Sequence, residues 1–429
     1  MTTKISEIKP GEVEFQGWIE NLRDKKNMQF VVIRDLSGKI QVTVVKEENP
    51  TVAEVFSHAT LESTVRIKGT AVENEYVKLG GIEVIPTEVV LTSHAEALPI
   101  TQESSIDQRL DYRWIDLRSP AKTLIFKVET TLNQAMRDFA IKNGCIEIHT
   151  PTLIGASSEG GSDVFEVKYF DRKAYLIQSP QFYKQMAMCA GFERVLINTP
   201  VFRAEKSFTK KHATEFSGFD VELSYVDSQE DVMKFEEELL AYAIGEVAKK
   251  HGTEVKELLG VDIVVPTLPF PRINMKEAYK VLREKCGLAI KDGEDFNTEQ
   301  EVALCKYMEE KNGHQFFFVT EYPTKVRAFY TMAKEDEPEY SKSYDLYFKD
   351  VEITSGAQRE HRPDILRKQI VDRGIDPTPM NDYINFFKNG CPPHGGFGLG
   401  LDRLLMLLLD LPSIKEAMYI FRGPDRLNP

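Results

Sequence analysis

Near its C-terminus the chain reads HGGFGLGLDRLLMLLL, residues 394–409, with glycine at 396, 398 and 400 alternating with Phe397 and Leu399. A strand patterned this way turns one face to a core and leaves the other without side chains. Such a face serves either tight packing or the close approach of a flat ligand. Glycines alone favour packing. Here, however, Asp402 and Arg403 open an apolar helix directly after the strand, which sets a guanidinium beside the bare surface. A strand of this kind needs a sheet around it, and paired alternating runs elsewhere in the chain supply one.

At 429 residues the chain is long enough for two or three domains. Its 42% hydrophobic and 28% charged content is that of a soluble globular protein. The N-terminal MTTKISEIKPGEVEF has no apolar signal region, and LLMLLL at 404–409 is too short to span a bilayer. Five cysteines at 145, 189, 286, 305 and 391 form no CxxC pair, so neither a zinc site nor a disulfide framework is expected, and a reduced cytoplasm fits. The net charge of −13 argues against wholesale nucleic-acid binding. Local basic patches remain, at RDKK 23–26 and at lysines 206, 210 and 211.

Residues 1–96 carry five short β-branched runs separated by polar or glycine turns, with one helical stretch near 50–60, a pattern that suits an OB-type barrel. Residues 97–120 are polar and aperiodic and read as a connector. From 121 to 429 strands and helices mix. AKTLIFKVETTLNQAMRDFAIKNG predicts a long amphipathic helix stopped at Gly144, and DVMKFEEELLAYAIGEVAKKHG a second one closed by Gly252. Because the strands cluster, the large domain is expected to be α+β on a mostly antiparallel sheet.

Two further stretches set basic residues among acids at strand ends. FRAEKSFTKKHATEFSGFDVE, 202–222, lies between the alternating runs VLINTPVF and GFDVELSYV, and places Arg203 and Glu205 on one face. YDLYFKDVEITSGAQREH, 344–361, lines up Asp345, Glu352, Ser355, Arg359 and His361 along a strand and its continuation. Either could be a solvated charged hairpin, the usual fate of a charge run.

Taken in order, these stretches resemble the three motifs of class II aminoacyl-tRNA synthetases, in the aspartate, asparagine and lysine subgroup, and within it the archaeal and eukaryotic aspartyl type. The first motif resembles the long helix with CIEIHTPTL and Pro151, the second FRAEKSFTKKHATEF, the third GFGLGLDRL, with QSPQFYKQ (178–185) between the first two. The resemblance covers essentially the whole chain and implies an OB-fold anticodon-binding domain (1–96), a hinge (97–120) and a class II catalytic domain (121–429). It implies a twofold dimer through the first motif, no membrane association, and tRNA, L-aspartate, ATP and magnesium as partners.

By that resemblance Arg203 meets the α-phosphate of ATP, Glu205 the adenine amino group, and Phe216 one adenine face, with Arg403 over the other. Lys211 and His212 meet the γ-phosphate, and Ala213, Gly400, Leu401 and Asp402 complete the nucleotide site. Fixed guanidinium groups suit phosphates. Glu352 and Ser355 match magnesium ligands, with Asp345 as a second carboxylate, since magnesium bridges phosphates through one or two acids. Arg203, Glu352 and Arg403 are the expected catalytic set.

For the amino acid, Arg359 resembles the residue that grips the substrate's side-chain carboxylate. Ser179, Gln181 and Lys184 add donors, Asp220 and Glu159 bring negative charge, with Glu159 in a loop over the α-amino group, and His361 completes the pocket. Phe30 matches the aromatic that stacks on an anticodon base and Gln41 the residue that reads the middle base. Lys184 and Asp220 resemble the aspartate branch rather than the asparaginyl one, so the resemblance points to aspartate, and buried charge facing a neutral amide can discriminate roughly 10⁴-fold. Three alternatives stay open: a relaxed enzyme charging both aspartate and asparagine tRNAs, an asparaginyl enzyme, and a non-catalytic RNA-binding paralogue. Family strictness is tied to the position of Glu20 and to one near Lys78. Two departures stand out: Asp402 replaces a more usual glutamate, and the C-terminus reads FRGPDRLNP.

Overall fold

A computed structural model describes residues 2–155 and 163–429. The chain divides into Met1–Tyr112 and Arg113–Pro429, a boundary inside the stretch read as a connector.

In the first unit, β1 (Gly11–Asp24), β2 (Met28–Arg34), β3 (Lys39–Val45), β4 (Thr64–Glu73) and β5 (Ile82–Ser93) close a barrel in the order β1-β2-β3-β5-β4. Alternation drives it: Val31 and Ile33 of β2 point inward with Phe15, Val42, Ile67 and Val84, while Phe30 and Arg34 of β2 stay partly exposed. Helix α1 (Pro50–His58) starts with Pro50 behind an Asn49 cap and packs Phe56 against this core. The Arg23 guanidinium lies 5.7 Å from the Phe30 ring centroid. Gln41 donates to Thr43 Oγ1 (3.1 Å) and to Glu83 Oε2 (3.2 Å), so its amide sits within a polar cluster on the barrel.

The connector is not aperiodic loop throughout. It contains α2 (Ile106–Asp111), with a Ser105–Gln108 capping box, and α3 (Arg113–Asp116). Both are too short for a helical period to be legible. In the second unit the Arg113 side chain is buried, donates to the carbonyls of Met418 (2.8 Å) and Tyr419 (3.2 Å), and pairs with Asp116.

The second unit is built on an eight-stranded sheet: β6 (Ile146–Glu147), β10 (Arg194–Phe202), β11 (Glu215–Ser224), β12 (Arg272–Asn274), β13 (Phe316–Thr320), β14 (Ser343–Phe348), β15 (Val351–Gln358) and β16 (His394–Gly400). Their order is β12-β13-β14-β15-β16-β11-β10-β6, antiparallel except for the two outermost pairs. A small second sheet joins β7 (Leu153–Ile154), β8 (Glu166–Tyr169) and β9 (Arg172–Leu176), the last two forming a hairpin. Helix α4 (Pro120–Lys142) ends just before Gly144 at φ +86°, as expected. Helix α5 (Gln181–Cys189) precedes β10, and α6 (Gln229–Leu259) packs on α4. The helix α6 does not close at Gly252. Its buried stripe continues through Val247, His251 and Val255, and Gly260 at φ +75° caps it instead. One helical glycine costs only about 1 kcal/mol, less than the stripe recovers. Helices α7 (Met275–Glu284) and α8 (Thr298–Asn312), then α9 (Pro363–Asp372) and α10 (Asn381–Phe386), lie between strands, and α11 (Leu401–Leu408) and α12 (Ile414–Ala417) follow β16. Among the described residues, no helix is long and apolar enough to cross a membrane.

Under the sheet, Glu236 of α6 is buried and its Oε2 accepts from Tyr344 Oη at 2.7 Å. Burial, with Asp345 adding like charge, raises its carboxyl to about 8. A folded pKa above the unfolded 4.5 means that the native state holds the extra proton, so stability falls as pH rises from about 4.5 to about 8. Glu236→Gln should remove that decline, up to about 1.4 kcal/mol per pH unit. Urea midpoints near pH 5 and near pH 8 should then converge, and a wild-type slope in the variant would exclude Glu236 as its source.

Candidate active site

Strands β10, β11, β15 and β16 lie side by side at the middle of the sheet, and their registers bring distant segments together: Asp220 pairs with Gly398, and Ser355 pairs with Gly398 from the other side. Two adjoining cavities open over this patch, enclosing, with the solvent at their mouths, about 780 Å³ and about 880 Å³. They share Ser179, Arg203, Asp220, Glu352, Ser355 and Gly398.

The outer cavity is completed by Glu205, Lys211, His212, Ala213 and Phe216 from the β10–β11 hairpin, and by Gly400, Asp402 and Arg403 from the β16–α11 turn. The Arg203 guanidinium sits 5.4 Å from the Phe216 ring centroid, with Nη1 3.9 Å from Glu205. Its side chain is 45% exposed, so the charge faces the cavity rather than a buried partner. Arg403 is held from behind: Nη1 donates to the Glu352 carbonyl at 2.7 Å and Nη2 to that of Lys211 at 3.4 Å. Burial, reinforced by the Arg403 charge, lowers the His212 pKa, which leaves a neutral imidazole hydrogen-bonded to Thr209. Lys211 Nζ reaches Glu301 of α8 at 3.4 Å, a partner with no signal in the sequence.

The inner cavity adds Gln181 and Lys184 of α5 and Arg359 from the end of β15. Lys184 Nζ lies 2.8 Å from Asp220, 3.0 Å from the Phe397 carbonyl and 3.5 Å from Glu222. Arg359 donates from Nε to Glu222 at 3.0 Å, and from Nη2 to Glu222 at 3.3 Å and to the Gly396 carbonyl at 2.8 Å. Two buried cations therefore face two buried carboxylates. Burial alone would raise Glu222, but the Arg359 and Lys184 charges hold it below the ordinary carboxylate value; for Asp220 burial wins and its pKa is raised. Glu222 was not singled out from the sequence, although it stands two residues past Asp220 on the same strand face.

The glycine strand does both things that its pattern allows. A Cβ on Gly396 would stand 2.1 Å from Glu222 Oε2, so this glycine is required by packing around the ion pairs. Gly398 and Gly400 line the cavities and keep their floor bare, with a Cβ on Gly398 reaching 3.0 Å from Asp220. Leu401, expected in the nucleotide site, has its side chain in the core instead, because it opens the apolar face of α11. His361 lines neither cavity. β15 ends at Gln358, and three residues later the alternation that would aim His361 at the pocket is gone. Glu159 lies outside the described residues, and Phe30 and Gln41 belong to the first unit.

Asp345 also lines neither cavity and is buried just behind them, 2.7 Å from Arg327 Nη2. Arg327, another residue without a sequence signal, donates from Nη1 to Ser355 at 3.2 Å. Asp345 Oδ1 is buried and has no hydrogen-bond partner among the described residues. Burial and then the Asp345 charge raise the Glu352 carboxyl to about 7. An orphaned carboxylate oxygen beside a second buried carboxyl fits a hard divalent cation. Among the described residues, no three His, Cys, Asp or Glu side chains form a complete metal cage. Magnesium is commonly held by one or two carboxylates together with phosphate oxygens.

Comparisons with known proteins agree with this geometry. Residues 105–421 match the family of class II tRNA synthetases (D, K and N), and residues 13–92 match the OB-fold nucleic acid binding domain. The chain is 42% identical to an aspartate–tRNA(Asp/Asn) ligase of Methanopyrus kandleri, over 97% of this chain and 96% of that protein. It is 39% identical to an aspartate–tRNA(Asp) ligase of Thermococcus kodakarensis, over 99% and 97%. Among solved structures it is similar to an asparaginyl-tRNA synthetase from Pyrococcus horikoshii complexed with asparaginyl-adenylate, with a TM-score of 0.92, 32% identity and full coverage of both chains.

Proposed function

The chain belongs to the class II tRNA synthetases for aspartate, lysine and asparagine, and from that premise we propose that it is an aspartate–tRNA ligase. It activates L-aspartate with ATP to aspartyl-adenylate, releasing pyrophosphate, and passes the aspartyl group to the 3′ end of tRNA. The observation that carries this reading is the pair of buried cations, Lys184 and Arg359, lining the inner cavity next to Arg203.

The nucleotide occupies the outer cavity, its adenine between Phe216 and Arg403 and its α-phosphate at Arg203, where the two cavities meet. Aspartate occupies the inner cavity with its side-chain carboxylate toward Lys184 and Arg359 and its ammonium toward Asp220. Three of the five guanidinium N–H groups of Arg359 serve Glu222 and Gly396, which leaves the Nη1 pair for the ligand. The α-carboxylate then stands over the shared floor at Gly398, ready for in-line attack on the α-phosphorus, and Arg203 stabilises the charge that grows there. Magnesium, when bound at Glu352 and Asp345, would offset phosphate charge. Asparagine has the same shape but would bring a neutral amide to the Nη1 edge of Arg359 and forfeit the charge-assisted pair that a carboxylate makes there. The OB unit reads the anticodon, and copies of the chain pair through α4 in a cytoplasmic homodimer.

The test is charging of purified aspartate and asparagine tRNAs with each amino acid. Aspartate should be used on its tRNA and asparagine on neither; preferential use of asparagine would overturn the assignment. A second reading, relaxed charging of both tRNAs with aspartate, draws on the Methanopyrus relative, which is named for both. For the barrel, Phe30→Ala should raise the KM for tRNA by about tenfold or more, since a stacked base contributes about 1–3 kcal/mol. Aspartate-dependent pyrophosphate exchange should be unchanged, and joint loss would mean a folding defect.

A further inference from the structure

Four buried polar side chains, Gln181, Gln185, His394 and Tyr383, form one continuous set of hydrogen bonds that begins at the inner cavity. Gln181 and Gln185 stand one turn apart on α5, Tyr383 belongs to α10, and His394 opens β16. Of the four, Gln181 lines the cavity. Its Nε2 donates to Gln185 Oε1 at 2.8 Å, and Tyr383 Oη donates to the same oxygen at 2.7 Å. Gln185 Nε2 lies 2.9 Å from His394 Nε2, and His394 Nδ1 lies 2.9 Å from the Pro392 carbonyl.

One atom sets the direction of every bond in this series. The Pro392 carbonyl can only accept, so His394 Nδ1 carries a hydrogen. Burial holds the ring pKa down at about 4, so the imidazole is neutral and its bare Nε2 accepts from Gln185 Nε2. The Gln185 amide then turns its oxygen the other way, toward Tyr383 and Gln181, and Gln181 meets that oxygen with its nitrogen. The carbonyl oxygen of Gln181 is left for the inner cavity. Reversing the Gln181 amide would set two carbonyl oxygens against each other and leave a buried hydrogen bond unmade.

We propose that Gln185 is a positioning residue for amino-acid binding: held by His394 and Tyr383, it fixes the Gln181 amide so that its carbonyl oxygen accepts from the substrate ammonium. Gln181, expected from the resemblance to donate, thus offers the ligand an acceptor. Asp220 lines the same cavity, so an ammonium with three N–H groups meets a carboxylate and a carbonyl together. An amide turned the other way would set N–H against N–H. The ligand in this inference is the one that the synthetase reading supplies, and the inference rests on that reading.

Packing holds the frame of the series in place. Phe182, next to Gln181 on α5, stacks on Tyr383 with ring centroids 4.3 Å apart, and Phe387 lies parallel to His394 at 6.0 Å. Lys184, next to Gln185, is tied to Asp220 at 2.8 Å and to the Phe397 carbonyl at 3.0 Å. The backbone of this turn is therefore fixed without Gln185, and what Gln185 adds is the orientation of one amide. Arg203, Phe216 and Arg403 of the outer cavity lie on other segments, so its loss should be felt by the amino acid and not by ATP.

Aspartate-dependent pyrophosphate exchange would be measured on full-length protein carrying Gln185→Met, Gln181→Met or both. Methionine keeps the unbranched shape of glutamine and removes the amide. Gln185→Met should raise the KM for aspartate by about three- to tenfold, the range of one hydrogen bond, with kcat and the KM for ATP little changed. Gln181→Met should raise it at least as much. The double variant should match Gln181→Met alone, because Gln185 acts only through Gln181. Should Gln185→Met fold poorly by thermal unfolding, His394→Asn takes its place in the same cycle, since it keeps a donor for the Pro392 carbonyl and removes the acceptor for Gln185. An unmoved KM for aspartate, a KM for ATP raised equally, or effects that multiply in the double variant overturn the proposal. A parent protein that never exchanges pyrophosphate with aspartate refutes the synthetase reading instead.

Discussion

Arg203→Ala should abolish aspartate-dependent exchange of pyrophosphate into ATP, lowering its kcat by about 10³-fold or more, the scale on which arginines aimed at a transferring phosphoryl group act. The residue stands where the two cavities meet, with its guanidinium over Phe216 and its nearest carboxylate, Glu205, 3.9 Å away. Nothing buried depends on it, so thermal unfolding of the variant should match that of the parent. Arg203→Lys should recover only part of the loss, because an ammonium keeps the charge but not the planar fork. Near-parental exchange by the alanine variant would remove Arg203 from the reaction.

The second large effect concerns Arg359 and separates substrate recognition from stability. Arg359→Leu leaves Glu222 buried against Lys184 alone, at 3.5 Å, and should destabilise the fold by about 3–5 kcal/mol. It should also lower kcat/KM for aspartate by about 10³-fold, in line with truncating one member of a buried, hydrogen-bonded charge pair. Adding Glu222→Leu replaces the ion pair with apolar volume and should restore most of the stability. Aspartate use should not return, because the Nη1 edge that faces the ligand is still missing. Denaturant midpoints and exchange kinetics on the single and double variants decide the matter: activity returning with stability would make Arg359 a structural residue only.

Much of the site was legible before the fold was known, and the residues explain why. Arg203, Glu205 and Phe216 belong to one hairpin, and Gly400, Asp402 and Arg403 to one strand-to-helix turn, so closeness in the sequence keeps each set together. The motif resemblance did not carry over at every position. His361 lies past the last strand residue, Gln358, and is not carried into the cavity. It was also incomplete where a glycine had two uses: Gly396 and Gly398 look alike in the sequence, yet one is filled by the Glu222 carboxylate and the other floors the cavities.

By itself the sequence determined the elements, the barrel followed by an antiparallel sheet with helices, and the short segments whose charges face one way, because these depend on periods of two and 3.6 residues and on neighbours within a turn or hairpin. Only the tertiary structure decided which charges neutralise which. Glu222 takes Arg359, Asp345 takes Arg327, and Glu301 takes Lys211, each from a different element. Ion pairing depends on separation and burial in space, and the sheet order that brings β11, β15 and β16 together sets both.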